Sequence, residues 1–361
     1  MQYKTKEKIC NIVNRIIPLI LAFLVGAIFC LVIGYNPLTI YAYILKGAFG
    51  SLSGVMQSLG YACPIIMTSL ATAFCFKAGV WNIGVEGQLY FGAYAAAIIG
   101  AGYYGLDAIP DVLKMPAALL GGALAGMLYA IIPALLKAYL NIDVVVTTIM
   151  FNNIAIGFCN FMCKAWHQSR ETSYDSTDYI ADAAVIPKFV GKYRATYAIF
   201  LALFIAVVIV FIVKKTRLGF EMTCLGRQFE FSEAAGMRAK SKIIIVFMVS
   251  GIIAGLAGAT EVLGVNKNFI PAFSQNPGLG WEGYYVASLT GSNPFASVIV
   301  SIIFGGFRYG SISAQSKLGM PLDLLNIIKS TMILFYAIQY LRPSSKIFTS
   351  KKRVSEAVEE E

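Results

Sequence analysis

A chain of 361 residues that is 58% hydrophobic and only 13% charged, with a mean hydropathy of +0.69, is not an ordinary soluble domain, since those carry roughly 25% charged residues. Its net charge of +10 is accounted for by basic loops beside anionic headgroups, and no basic stripe with interleaved aromatics points to nucleic acid. The expected partner of so apolar a surface is membrane lipid.

Apolar runs of about 20 residues, the length that crosses a hydrocarbon core of roughly 30 Å, fall at 16–34, 55–76, 82–101, 115–137, 144–163, 195–213, 243–265, 281–292, 295–310 and 322–341. Backbone groups in lipid must be satisfied internally, and nothing alternates like a barrel strand. The predicted fold is therefore all-α and polytopic, with about 10 transmembrane helices, some short or broken. Taken in order, the first run follows Lys4, Lys6, Lys8 and Arg15. Behind it stands Gly34-Tyr35-Asn36-Pro37, not a small-x-small cleavage site, so it reads as a retained helix after a cytoplasmic segment, 1–15. The second run, 55–76, holds Pro64, Thr68 and Ser69 and is expected to be broken or re-entrant, while 281–292 is too short to cross untilted.

Alternation from a cytoplasmic amino terminus places 164–194, of mixed sign, outside. It places 214–242 inside, where Lys214, Lys215, Arg217, Arg227, Arg238, Lys240 and Lys242 fit the positive-inside rule. The same alternation returns the tail, 342–361, to the cytoplasm and leaves 16–341 as the transmembrane domain.

The 7 cysteines (Cys10, Cys30, Cys63, Cys75, Cys159, Cys163, Cys224) lie mostly inside apolar runs and read as packing residues. Cys159 and Cys163 share a helix face, but the single histidine, His167, lies beyond the helix end and reads as a solvated loop residue, so no metal site is assigned. There is no His-Glu-x-x-His, no G-x-S-x-G elbow, no pair of close carboxylates flanked by a base and no Walker A loop. No catalytic residue is assigned either, and if ATP drives this protein another chain binds it.

Polar residues concentrate where the runs should be purest. "FKAGVWNIGVEGQLYFGAYAAA" (76–97) carries Trp81, Asn82, Glu86 and Gln88 among glycines. In a bilayer such groups are costly unless they face protein or water. Two roles fit: donors, acceptors and a stacking face along a permeant path, or side chains that cap a break and hold helix ends together. Asn152 and Asn153, near mid-membrane, serve interhelical hydrogen bonding or permeant contact. Gly251-x-x-x-Gly255 and Ala254-x-x-x-Gly258 give a small face for tight packing against a neighbouring helix or a partner subunit. Glu261, at the end of that helix, either pairs with a buried cation or lines the path, and Trp281 with Glu282 reads as an anchor at the external interface. In 214–242, Ser232-Glu233-Ala234-Ala235-Gly236 offers a serine cap for a short helix, followed by small residues that let a partner approach closely.

The 77–97 segment "KAGVWNIGVEGQLYFGAYAAA", "TTIMFNNIAIG" (147–157), the Glu-Ala-Ala-Gly loop and "VFMVSGIIAGLAGATEVLG" (246–264) together resemble permease subunits of bacterial ABC importers. The branch is the one that carries simple sugars, branched-chain amino acids and nucleosides, and the chain looks most like the larger permease of guanosine-type nucleoside systems. It departs from the family at Phe231 and Ser232, where two small residues are usual, and at Asn153, where a tyrosine is common. The resemblance implies a multi-pass protein of the bacterial cytoplasmic membrane, working beside a second, different permease. It also implies a cytoplasmic ATPase docked on Ser232–Gly236 and a surface lipoprotein that captures substrate, with no cofactor of the chain's own. Transport would proceed by alternating access. Simple sugars are the alternative cargo. An ion-coupled carrier with Glu86 and Glu261 as proton sites is the alternative machine, against which stand the docking loop and the lack of paired halves.

Overall fold

The computed structural model describes residues 20–271, 273–274, 278–319, 327 and 331. The predicted 322–341 helix and the two terminal segments, 1–15 and 342–361, lie outside the described residues. By its contacts the chain divides into two units, Met1–Ile40 with Met320–Glu361, and Tyr41–Gly319. In the first, the described residues form α1 (Ile20–Val32) and the start of α2 (Pro37–Phe49). The second carries the remaining elements: α3 (Leu52–Lys77), α4 (Val85–Gly100), α5 (Asp111–Leu140), α6 (Val144–Trp166), α7 (Ala198–Lys215), α8 (Arg217–Arg227), α9 (Phe229–Ala234), α10 (Ala239–Glu261), α11 (Leu279–Leu289) and α12 (Pro294–Leu318).

Among the described residues, six helices are long and apolar enough to cross a membrane, or 7 if α1 and α2 form one span. The chain is thus an all-α, multi-pass membrane protein. Helix α2, which the apolar runs did not announce, follows Gly34 at φ +92, and the Asn36 side chain accepts from Leu38 N–H at 3.0 Å. Helix α4 begins at Val85 and has 16 residues; at 1.5 Å each it reaches only about 24 Å, short of the core. Helix α11 has 11 residues, so the expectation that it is too short holds.

The expectation for 55–76 fails. Helix α3 runs unbroken for 26 residues through Pro64, which is buried among neighbouring helices, the setting in which a membrane helix tolerates proline. The Thr68 hydroxyl sits against the carbonyls of Pro64 (3.0 Å) and Leu279 (3.0 Å), tying this part of α3 to the start of α11. With α10, α3 forms the buried centre. The small face of α10 meets helices of its own chain: a Cβ on Gly255 would strike the carbonyl of Gly122 on α5, and one on Gly258 the carbonyl of Leu89 on α4. Glycine is needed there because the three backbones touch.

Loop 167–197 closes one end of the bundle. Ala181 N–H donates to Gly100 (2.9 Å), Ile180 N–H to Lys267 (2.8 Å) and Ile186 N–H to Leu263 (2.9 Å). His167 is not a solvated residue: it is 5% exposed, with Nδ1 at 2.7 Å from the Tyr94 hydroxyl and Nε2 at 2.8 Å from that of Tyr104. The described cysteines are free thiols; Cys30, Cys63, Cys75, Cys159 and Cys163 are buried, in keeping with a packing role.

At the other end Gly79 lies against Gly226, and Glu221 of α8 joins Arg217 (2.7 Å) to Lys242 (2.5 Å). These cations hold its carboxyl below the usual 4.5, the Lys242 hydrogen bond contributing most. A depressed carboxyl stabilises the fold above the unfolded value, and that contribution disappears as pH falls through the folded one. The melting temperature of detergent-purified protein is therefore expected to depend less on pH below 4.5 in Glu221→Gln than in the wild type; identical slopes would mean that the pair contributes nothing.

Candidate functional site

Between α3 and α4 the backbone leaves the helix for residues 78–84 and re-enters it inside the protein. Gly79, at φ +73, turns the chain where a Cβ would meet the Gly226 backbone. The first N–H groups of α4 then need partners that lipid cannot supply. Asn82 gives one: its Oδ1 accepts from Gly84 N–H at 2.9 Å while its Nδ2 donates to Ser250 Oγ on α10 at 3.0 Å. Asn152 of α6 gives another, accepting from Gly87 N–H at 2.8 Å and donating to the Ile83 carbonyl at 3.0 Å. Thr148 Oγ1 accepts from Ile83 N–H at 3.3 Å. Asn82 and Asn152 are thus brought together as braces of an internal helix start.

Glu86 completes the brace. Its Oε2 accepts from Gly280 N–H at 2.5 Å, and a Cβ on Gly278 or Gly280 would occupy the space its carboxylate fills. The carboxylate therefore sits in the first turn of its own helix and on the first turn of α11, where two helix dipoles favour negative charge. Gln88 is also buried, and its Oε1 has no hydrogen-bond partner among the described residues. Trp81 packs its ring on Phe76 at 4.7 Å, so one of its faces is used within the chain.

The remaining ionisable groups form a second cluster. Glu261 pairs with Arg194, the buried cation that the first of its two predicted roles required. The Arg194 guanidinium lies 4.1 Å above the Tyr61 ring and that of Arg308 5.6 Å from it. Arg308 Nη1 meets Glu282 at 3.0 Å and Nη2 donates to the Ser274 carbonyl at 2.9 Å. Glu282 is fully buried; it is a core ion-pair partner and not an interfacial anchor, because α12 brings an arginine to it. Sequence reasoning missed Arg194, Arg308 and Tyr61, although an arginine inside the apolar run 295–310 is itself a signal.

Asn153 stands apart from its neighbour. It is exposed, and among the described residues its side chain bonds only the Ile149 carbonyl of its own helix, from Nδ2 at 3.4 Å. Helix α6 packs on α4 and, to a smaller extent, on α5, so its opposite face is turned outward.

This pattern, a helix break braced by Asn82, Glu86 and Asn152, falls inside a family match that covers residues 54–337, described as "Branched-chain amino acid transport system / permease component". The chain belongs to that permease family. The guanosine ABC transporter permease protein NupP of Bacillus subtilis is 32% identical over 92% of this chain and 95% of its own length. The nucleoside ABC transporter permease protein NupB of Lactococcus lactis is 30% identical over 94% and 93%. The glucose ABC transporter permease protein TsgB13 of Haloferax volcanii is 28% identical over 89% and 85%. No solved structure matches the chain.

In this permease the 214–242 segment is a helical pair, α8 and α9. Ser232 does not cap α9: the helix begins at Phe229 behind Gln228, and the buried Ser232 hydroxyl donates back to the Gln228 carbonyl at 2.9 Å. The helix ends instead at Ala235-Gly236, where Gly236 takes φ +82 and donates to Glu233 at 2.9 Å. Glycine at this left-handed position is the ordinary helix terminator. Glu233, Ala234, Ala235 and Gly236 are all exposed, as are Phe229 and Phe231.

Proposed function

We propose that the chain is the transmembrane permease subunit of an ATP-driven importer that moves nucleosides across the bacterial cytoplasmic membrane. The observation that carries this reading is the end-to-end similarity to two permeases named for guanosine and nucleoside transport. ATP is bound by a separate cytoplasmic ATPase, which takes hold of the exposed Glu233–Gly236 end of α9. A second permease completes the pathway, a capture protein delivers the substrate, and both termini are cytoplasmic. Glu86 and Glu261, the proton sites an ion-coupled carrier would need, are instead tied to Gly280 N–H and Arg194. A second reading, sugar transport, draws on the glucose permease relative.

The test is uptake of labelled guanosine and of labelled pentose in vesicles holding the permease, its neighbouring permease and ATPase, and the capture protein. Guanosine accumulation that needs ATP is expected, and Glu233→Arg is expected to reduce it at least about tenfold by reversing charge at the docking surface. Uptake driven by a proton gradient without the ATPase overturns the importer reading. ATP-driven pentose uptake without guanosine uptake replaces the cargo and leaves the machine.

A further inference from the structure

The outward face of α6 is an unusual surface for a membrane helix. Val146, Met150, Asn153, Gly157, Asn160 and Lys164 recur at steps of three and four and form one stripe. Asn153 is exposed and, among the described residues, bonds only to its own helix. Among the described residues, no atom beyond the backbone of its own helix turn lies within 4 Å of where a Cβ on Gly157 would be. Asn160 Oδ1 is shielded from solvent and has no hydrogen-bond partner among the described residues. Three consecutive positions of the stripe, at mid-helix, thus give an amide, a notch and a second amide with an unused acceptor. Among the described residues the Asn153 side chain bonds only within its own helix and Asn160 Oδ1 has no partner, so neither is seen tying α6 to a neighbouring helix, and amide groups left unpaired at membrane depth are costly.

We infer that the Gly157 notch, bracketed by the Asn153 and Asn160 amides, is where the permease reads the neutral polar groups of its permeant. The inference rests on the importer reading above and deepens it. The amides lie seven residues apart, about 10 Å along the axis, so they address two separate parts of one solute. Each amide both donates and accepts, which suits a base edge at one end and sugar hydroxyls at the other. No Asp, Glu, Lys or Arg occurs from Val144 to Cys163, and Lys164 beyond them is engaged by Asp175 at 3.4 Å. The face therefore complements an uncharged solute and not a phosphorylated one. Phe161, one turn past the notch and 61% exposed, offers an aromatic plane beside it.

The experiment uses the assembled transporter in proteoliposomes with labelled guanosine, adenosine and pentose as probes. Gly157→Leu fills the notch, and Asn153→Gln moves one amide while keeping its chemistry. The expected result is that Gly157→Leu lowers uptake at least about tenfold while the second permease still co-purifies and the melting temperature is unchanged. Asn153→Gln is expected to change the ratio of guanosine to adenosine uptake several-fold. Wild-type uptake and wild-type ranking in both variants overturn the inference and leave the importer reading intact. Loss of the second permease from Gly157→Leu also overturns it, showing that the notch is a helix-packing contact. Pentose uptake that Gly157→Leu blocks keeps the notch and changes its cargo.

Discussion

Arg308→Met is expected to leave little folded permease at temperatures where the wild type is intact. The side chain is 5% exposed, and it joins Glu282 of α11, the Ser274 carbonyl and the Tyr61 ring of α3. Removing one member of a buried pair strands the other as an uncompensated charge, at a cost of about 3–5 kcal/mol. Methionine fills much of the volume but supplies none of the donors. Adding Glu282→Leu to Arg308→Met removes the stranded carboxylate, so the double variant is expected to recover part of the loss. Thermal denaturation of the detergent-solubilised protein, followed by size-exclusion fluorescence, separates the outcomes. A single variant that melts with the wild type would show that the pair carries no stability.

Gly255→Val is expected to be nearly as damaging, for a steric reason. A side chain at Gly255 points into the Gly122 carbonyl, with Gly126 Cα at 3.2 Å, and Gly92 on α4 in turn presses on Gly255. Those obstacles are backbone atoms of two other helices, so no side chain can swing aside. Overpacking of a close-packed core costs about 1–3 kcal/mol when neighbours can yield, and here three helices would have to separate. The yield of inserted, monodisperse protein is the measurement; wild-type yield would mean that the crossing is looser than the contacts imply. Gly157→Leu is the control on the same chain, since that glycine faces open space.

Much of this architecture could be read before any coordinates, and the limits of that reading have physical causes. The α5, α6, α7, α10 and α12 spans announce themselves because crossing lipid requires long apolar helices, and that demand acts on composition alone. The short α4 was legible as a polar cluster but not as a helix start at Val85, because bracing depends on Asn152 and Gly280, which only the fold brings near. Asn152 and Asn153 look alike in sequence; one helical step of about 100° puts the first against α4 and the second outward. Pro64 misled because a helix break is a local expectation, whereas the helices that surround α3 come from distant segments, as the Thr68 hydroxyl on the carbonyl of Leu279, 211 residues away, illustrates. Ser232 misled because Gln228 opens the same turn earlier without a side-chain cap. His167 looked solvated since nothing in its own segment reveals that Tyr94 and Tyr104 converge on it. The ion pairs of Arg308 and Arg194 were invisible for the same reason.

The Glu86 brace has a consequence for how the protein is made. Glu86 and Gly280 are 194 residues apart, and a ribosome adding about 5–20 residues per second takes roughly 10–40 s to cover that distance. For that interval a carboxyl group has been delivered to the membrane while the backbone donor that will hold it has not been synthesised. The order of insertion and the order of assembly are therefore different for this segment. A chain that stops before residue 280 carries Glu86 with only the first turn of its own helix to oppose the charge.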